Sequence, residues 1–340
     1  MGIRTFAILM CSVSILASCG QERPEVLELS GSTMGTRFSI KLPTLPAAVD
    51  PDALQQDIDN ELLQIEMQMS TYRVDSDVSQ FNVSDSVDWQ SVPVELCNAV
   101  EESLVISEKT SGAFDITVGP LVNLWGFGPD GIVRSPPPDR EIETAKTRVG
   151  YSHLQADCSK PAIRKDIPRL YLDLSAYAKG YAVDRISELL DKMEIADYLV
   201  EIGGEMKLRG FNAEKQKWAV AIEAPLQNER QVQRIFRITN QSVATSGDYR
   251  NFFESNGQIF SHTIDTRTGR PVRHGLASVT VVAETTAIAD ALATALLVLG
   301  PEDGMMLAQR EGLAAYFLIR TSGGIEAKMS PAFALIGEES

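Results

Sequence analysis

Four short stretches hold side chains whose types and spacing can do chemistry. The first is Ala289-Asp290-Ala291-Leu292-Ala293-Thr294-Ala295-Leu296-Leu297, apolar except for Asp290 and Thr294. Four residues apart on a helix, those two share a face. A lone carboxylate among buried apolar residues is costly unless it is paired or bound to a cation. Carboxylate plus hydroxyl oxygen is a hard donor set that suits Mg²⁺. The plainer alternative is a solvated acid near a helix start. The second stretch, Asp173 to Asp184, reads as a strand that delivers Asp173 and Ser175 to a turn where a helix begins. Helix starts present free N–H groups and the positive dipole end, which suits phosphate. Lys179 adds charge for an anion while opposing the dipole; a capped turn with a solvated lysine fits equally well. The third, Ser261 to Pro271, carries His262 in front of a tight turn with Asp265 and Gly269 as turn residues. A histidine titrates near neutrality, so His262 reads as a general base, a ligand contact or a structural residue. The fourth, Ser70-Thr71-Tyr72-Arg73, places an aromatic in a polar loop, either to stack on a planar ligand or to cover its own core. Gly112 to Leu121 and Ser32 to Thr36 are glycine-bearing loops that let backbone approach a ligand.

These residues depend on elements that the sequence outlines. Val26 to Ser30 and Thr36 to Leu42 alternate as a strand pair. Asp50-Pro51 opens a helix to about Met69, with Leu54, Ile58, Leu62, Ile65 and Met69 on one stripe. Ser70 to Asn82 reads as loop, and Val94 to Thr110 as a helix stopped by Ser111-Gly112. Phe114 to Leu124 is short and apolar, and Ser135 to Pro138 is a rigid surface loop. Leu170 to Leu174 alternates as a strand ahead of a helix from Tyr177 to Lys192. Strands follow at Tyr198 to Ile202, Glu205 to Leu208, Trp218 to Glu223 and Ile235 to Ile238. Ser255-Asn256-Gly257 marks a hairpin. Ser278 to Ala283 is a strand, and Ile288 to Leu299 an apolar helix ended by Gly300-Pro301. A last helix and the strand Ala315 to Ile319 close the chain. Strands and helices mix without a βαβ rhythm, so the fold class is α+β, mixed sheets with packed helices. Gly126 to Gly131 spells GxGxxG, but Pro129 sits inside it and a triple proline follows. A dinucleotide fingerprint must open a helix directly after a strand, so that reading is rejected.

The bulk properties narrow the class. The chain has 340 residues and a net charge of −15, with 44% hydrophobic residues. That is globular composition with length for a substantial core. A strongly acidic balance argues against nucleic acid as a partner. An anionic ligand would need a metal or local donors against the global field. Three histidines, His153, His262 and His274, show no zinc spacing. Arg4 followed by the apolar run Phe6 to Leu16 reads as a signal peptide, too short for a membrane helix. Leu16-Ala17-Ser18-Cys19 looks like a lipobox, with Cys19 as the lipidated first residue. The expected organisation is a signal peptide at residues 1–18, a lipidated tether at 19–25 and one domain at 26–340. The protein is then expected on a membrane facing the periplasm, with the inner membrane favoured. Cys97 and Cys158 would meet an oxidising compartment, and a bridge or two separate thiols fit equally.

Eight segments taken together resemble the FAD:protein FMN transferase (ApbE) family. They are STMGTRFSI (32–40), MSTYRVDSDVSQFN (69–82), GAFDITVGPLVNLWGFG (112–128), LDLSAYAKGYAVD (172–184), YLVEIGGE (198–205), VATSGDY (243–249), SHTIDTRTGRPV (261–272) and ADALATALLVLG (289–300). They occur in family order. The resemblance implies a T-fold-like, two-lobed single catalytic unit. It implies Mg²⁺-dependent transfer of FMN from FAD to a threonine of a membrane-associated flavoprotein, with release of AMP. By similarity, Met34, Tyr72, Ala113, Phe114, Asp115, Asp173, Lys179 and Ile264 line the FAD site. The metal falls to Asp290 and Thr294 with the backbone of Ala176 and Ala293. His262 and Asp290 are the expected catalytic residues, His262 as base near the acceptor hydroxyl. Tyr72 is expected to stack on the flavin nucleotide and to favour transfer over hydrolysis of FAD to FMN and AMP. A flavin-binding lipoprotein without catalysis is the other alternative, against which Asp290 and Thr294 argue. Subunits of Na⁺-pumping or Rnf-type electron-transfer complexes are the implied acceptors.

Overall fold

A computed structural model describes residues 26–226, 231–249 and 251–336. The expected signal peptide and Cys19 lie outside the described residues. Strands β1 (Leu27–Thr33) and β2 (Thr36–Leu42) form a hairpin. Its two central residues, Met34 and Gly35, have φ of 49° and 71°, the twist that two-residue hairpin turns require. Helix α1 (Pro51–Met69) starts on proline and buries the predicted stripe. The expected loop after it contains a further helix, α2 (Asp77–Val83), because the Ser76 hydroxyl accepts the Ser79 N–H as an N-cap. Strand β3 (Gln90–Ser91) precedes α3 (Val94–Lys109). Two short helices, α4 (Gly119–Leu124) and α5 (Asp139–Lys146), flank the rejected glycine string, which opens no helix after a strand. Strand β5 (Ala162–Lys165) pairs with β3 on one side and with β4 (Leu154–Asp157) on the other.

The segment Leu170 to Leu174 is not a strand of any sheet. Its leucines are buried as the alternation implies. Its backbone is met instead by the Asn82 side chain, which accepts Leu172 N–H at 2.7 Å and donates to Leu172 C=O at 2.9 Å. The Asp173 N–H donates to Ile116 C=O at 2.7 Å. Helix α6 (Ala178–Lys192) follows. Strands β6 (Tyr198–Ile202), β7 (Glu205–Arg209), β8 (Trp218–Glu223), β9 (Val232–Ile238) and β10 (Gln241–Gly247) come next. The hairpin of β11 (Phe252–Ser255) and β12 (Gln258–Ser261) and the short pair β13 (Ile264–Asp265) and β14 (Arg270–Pro271) precede β15 (Leu276–Ala283). Helix α7 (Thr286–Arg310) loses helical geometry at Gly300, where φ is 83° and Pro301 follows, so its first stretch ends where the sequence predicts and a second helical stretch runs on to Arg310. Beyond β16 (Ala314–Thr321), the chain adds β17 (Gly324–Met329) and α8 (Pro331–Ile336), two elements the sequence reading did not foresee.

One antiparallel sheet in the order β1-β2-β6-β7-β10-β15-β16-β17 organises the molecule, in keeping with the α+β expectation. Alternate residues of its central strands enter different cores. Val281, Ala315 and Phe317 join α1, α3, α6 and α7 on one face. Val282, Tyr316 and Leu318 join the β8–β9 hairpin and Phe333 of α8 on the other. A third cluster, Trp125 and Leu121 with Phe253, Phe260 and Ile264, holds α4, α5 and the small hairpins together. Cys97 and Cys158 are bridged at a Cα–Cα distance of 5.7 Å, which decides the open alternative and ties α3 to the β4–β5 turn.

Candidate active site

A cavity of ≈ 1410 Å³ opens where the β6–β7 turn, the end of β10 and the starts of α6 and the α7 helix meet the third cluster. Its wall includes Met34, Tyr72, Ala113, Phe114, Asp115, Asp173, Ala176, Lys179, His262, Ile264, Asp290 and Thr294. Residues expected from six separate segments therefore share one cavity. Ala293 is not on the wall; its methyl is fully buried between Asp290 and Thr294 along α7.

The floor is built by α6 and α7. Asp184 of α6 accepts the Thr286 and Ala287 N–H groups, each at 2.8 Å, and so caps the first turn of α7. Gly180 allows the two helices to touch, since a Cβ there would lie 2.4 Å from Thr286 O. The contact brings Lys179 to Asp290. Lys179 Nζ lies 3.2 Å from Asp290 Oδ2 and 3.5 Å from Glu205 Oε1, and Gly180 N–H donates to Asp290 Oδ2 at 3.3 Å. Asp290 is thus buried and paired, not a solvated acid at a helix start. Lys179 is no solvated lysine either. Burial works against its charge, but Asp290 and Glu205 outweigh that and raise its pKa. Burial raises the Glu205 carboxyl, against the pull of Lys179. On the same face of α7, Thr294 Oγ1 is 3.0 Å from Ser246 Oγ of β10.

Above this floor stand the loops. Asp173 Oδ1 accepts both the Ser175 N–H at 2.9 Å and its hydroxyl at 2.5 Å, fixing the turn into α6. Asp115 is committed to its own loop: Oδ1 accepts Thr117 N–H and hydroxyl, and Oδ2 accepts Tyr151 N–H. Burial raises its pKa, and those hydrogen bonds oppose the rise. Ala113, Phe114 and Ile264 are buried apolar wall. Tyr72 stands on the rim, 67% exposed, with its hydroxyl donating to Phe127 C=O at 3.4 Å. Its ring is therefore open to a planar partner. His262, half-buried, has Nδ1 3.0 Å from Asn251 C=O. A carbonyl partner requires the proton on Nδ1, which leaves Nε2 as the acceptor. Burial lowers the His262 pKa, so the ring is neutral near pH 7.

Sequence reasoning missed four supports of this site. Glu66 accepts Met34 N–H at 2.7 Å and the Thr33 hydroxyl at 3.0 Å, which holds the positive-φ turn over the cavity. Asp184 and Glu205 were placed in a helix and a strand, and Ser246 in the segment VATSGDY, none of them with a role at the site. Glu205 carried a usable signal. It directly follows a double-glycine turn and pairs with Ile202, an inward-facing residue, so strand alternation turns an acid into the core.

Known proteins match this chain over nearly its whole length. The ApbE family profile matches residues 34–317. The FAD:protein FMN transferase of Vibrio cholerae serotype O1 is 41% identical over 332 residues, covering 97% of this chain and 98% of that protein. The FAD:protein FMN transferase of Escherichia coli K12 is 41% identical over 311 residues, 91% of this chain and 88% of that one. Among solved structures, the flavin transferase ApbE from Vibrio cholerae superposes with a TM-score of 0.86 at 39% identity, covering 92% of this chain and 99% of that one. The apo flavinyl transferase ApbE of Pseudomonas stutzeri gives 0.85 at 37% identity, covering 93% and 98%. Matched nearly end to end in sequence and in fold, the chain belongs to the ApbE family.

Proposed function

We propose that this protein transfers the FMN portion of FAD to a threonine hydroxyl of a flavoprotein acceptor and releases AMP. The observation that carries the reading is the convergence of Lys179, Asp290, Thr294 and His262 on one large cavity in a member of this family. The cavity has room for a dinucleotide and still reaches solvent at Tyr72.

The donor set supports a hard cation. Among the described residues, no group of three or more His, Cys, Asp or Glu is placed to hold a metal. A cation here draws instead on Asp290, the Thr294 hydroxyl and backbone oxygens of Ala176 and Ala293, an all-oxygen set that fits Mg²⁺. Two buried carboxylates against one lysine leave the floor with an excess of negative charge that favours a further cation. When bound, Mg²⁺ supplies charge neutralisation at the pyrophosphate.

The chain's own residues do the rest. Lys179 faces the phosphates as a point charge. Tyr72 offers a ring for stacking, and Phe114 and Ile264 exclude water from the buried wall. His262 Nε2 takes the proton from the threonine hydroxyl as its oxygen attacks the FMN phosphorus. The bond from that phosphorus to the AMP oxygen breaks, and AMP leaves with the electron pair. Phosphoryl transfer of this kind is mostly positioning and charge stabilisation.

Cys19 anchors the protein by lipid, facing the periplasm, with the inner membrane favoured. The acceptor is a separate protein such as a subunit of a Na⁺-pumping or Rnf-type complex, because this chain carries no acceptor-like threonine motif. The test is an incubation of the chain from Gln21 with FAD, Mg²⁺ and a threonine-bearing acceptor domain. A fluorescent, covalently labelled acceptor is expected, and Asp290→Ala is expected to abolish it. Free FMN without labelled acceptor, or full labelling by the variant, would count against the reading.

A further inference from the structure

The floor of the cavity contains a carboxylate oxygen with no task in the mechanism above. Glu205 is 5% exposed, and its Oε2 is buried without a hydrogen-bond partner. Leaving such an oxygen unmet is costly, so its retention calls for a reason. Its other oxygen shares Lys179 with Asp290, at 3.5 Å and 3.2 Å from Nζ. Lys179 and the Gly180 N–H thus both sit on Asp290 Oδ2.

A divalent cation on Asp290 and an ammonium on the same carboxylate repel each other strongly in a buried setting. One of them must give way. Gly180 N–H is fixed in α6, but Lys179 ends a flexible four-carbon stem. The acceptor within its reach is the unpartnered side of Glu205. We propose that Glu205 is a positioning residue that takes Lys179 over from Asp290 when a divalent cation binds, and so sets the affinity of that cation. The proposal rests on the reading that Asp290 holds the cation. Lys179 then serves twice, first as a stand-in charge on Asp290 and then as a second cation beside the loaded site.

Glu205→Asp separates reach from charge, since it keeps the carboxylate and shortens it by one methylene. Binding of Mn²⁺, followed by loss of the free-ion EPR signal, reports on the site without turnover. With Lys179 present, Glu205→Asp is expected to weaken Mn²⁺ by about tenfold, the scale of a direct pair coupling. Lys179→Met is expected to tighten Mn²⁺. In that background Glu205→Asp should change nothing beyond about twofold, because no lysine remains to be held. An equal loss in both backgrounds, or no loss in either, overturns the handover. Undiminished Mn²⁺ binding in Asp290→Ala, or no binding by the wild type, overturns the cation site itself and the handover with it. Melting curves without metal screen each variant for folding. Should Glu205→Asp not fold, Glu205→Gln keeps the volume and is expected to show the same dependence on Lys179.

Discussion

His262 is held in one tautomer by the Asn251 carbonyl, so its Nε2 is ready to accept a proton only while the ring is neutral. Burial lowers its pKa below the ordinary histidine value near 6.5. Transfer should therefore be flat through neutral pH and fall only on the acid side of that value. His262→Ala should slow transfer by about 10²–10³-fold and erase the acid limb. An unchanged rate or an unchanged profile in steady-state assays would remove the histidine from the chemistry. Legibility at this scale followed cost. Asp290 stood out because an acid in an apolar helix needs a partner, and the structure supplies Lys179 and Gly180 N–H. Glu205 was passed over because a strand with one acid looks half-solvated until its cross-strand partner is known.

The element that delivers Asp173 is held by a side chain where a strand neighbour was expected. Asn82 bonds both backbone groups of Leu172, and removing it leaves two buried groups unmet. Asn82→Ala should cost about 2–4 kcal/mol of stability, read from denaturant melts. Beneath the same segment, Lys165 is fully buried and donates to Phe81 C=O at 2.9 Å and Leu170 C=O at 3.2 Å. Burial pushes its pKa down to about 8 from 10.5. Between those values the unfolded chain holds a proton that the folded chain has lost, so this group makes stability rise with pH across that window. Below about 8 both states are protonated and the contribution is flat. Lys165→Met should flatten the rise, and melts from pH 7 to 10 that show no such change would contradict the assignment. The alternation of Leu170, Leu172 and Leu174 announced which side chains turn inward, and all three are buried. Period-two patterning reports faces and says nothing of hydrogen-bond partners, so Asn82 stayed hidden. The polar run after α1 hid α2 for a related reason. Its N-cap serine looks like loop composition until it is seen to accept Ser79 N–H.

Across the whole molecule, one sheet separates two cores and a smaller cluster walls the cavity. Strands β15 and β16 are buried on both faces, because their alternate residues enter different cores. Helix α7 is long and apolar enough to cross a membrane, yet most of its apolar stretch is buried in the core, and its helical geometry breaks at Gly300. Cysteine spacing alone left the pairing open, because proximity of Cys97 and Cys158 depends on how α3 meets the β4–β5 turn. The bridge spans 61 residues, so reduction should lower stability by about 4 kcal/mol in a chain-entropy account. Melts with and without reductant check that figure; an unchanged midpoint would show the bridge to be dispensable. Transfer ties together the fates of the two halves of FAD. The most direct measurement is the ratio of AMP released to FMN bound covalently to a threonine-bearing acceptor domain, from the same reaction with Mg²⁺. Transfer predicts one AMP for each FMN attached. AMP accumulating with FMN left free in solution would contradict it.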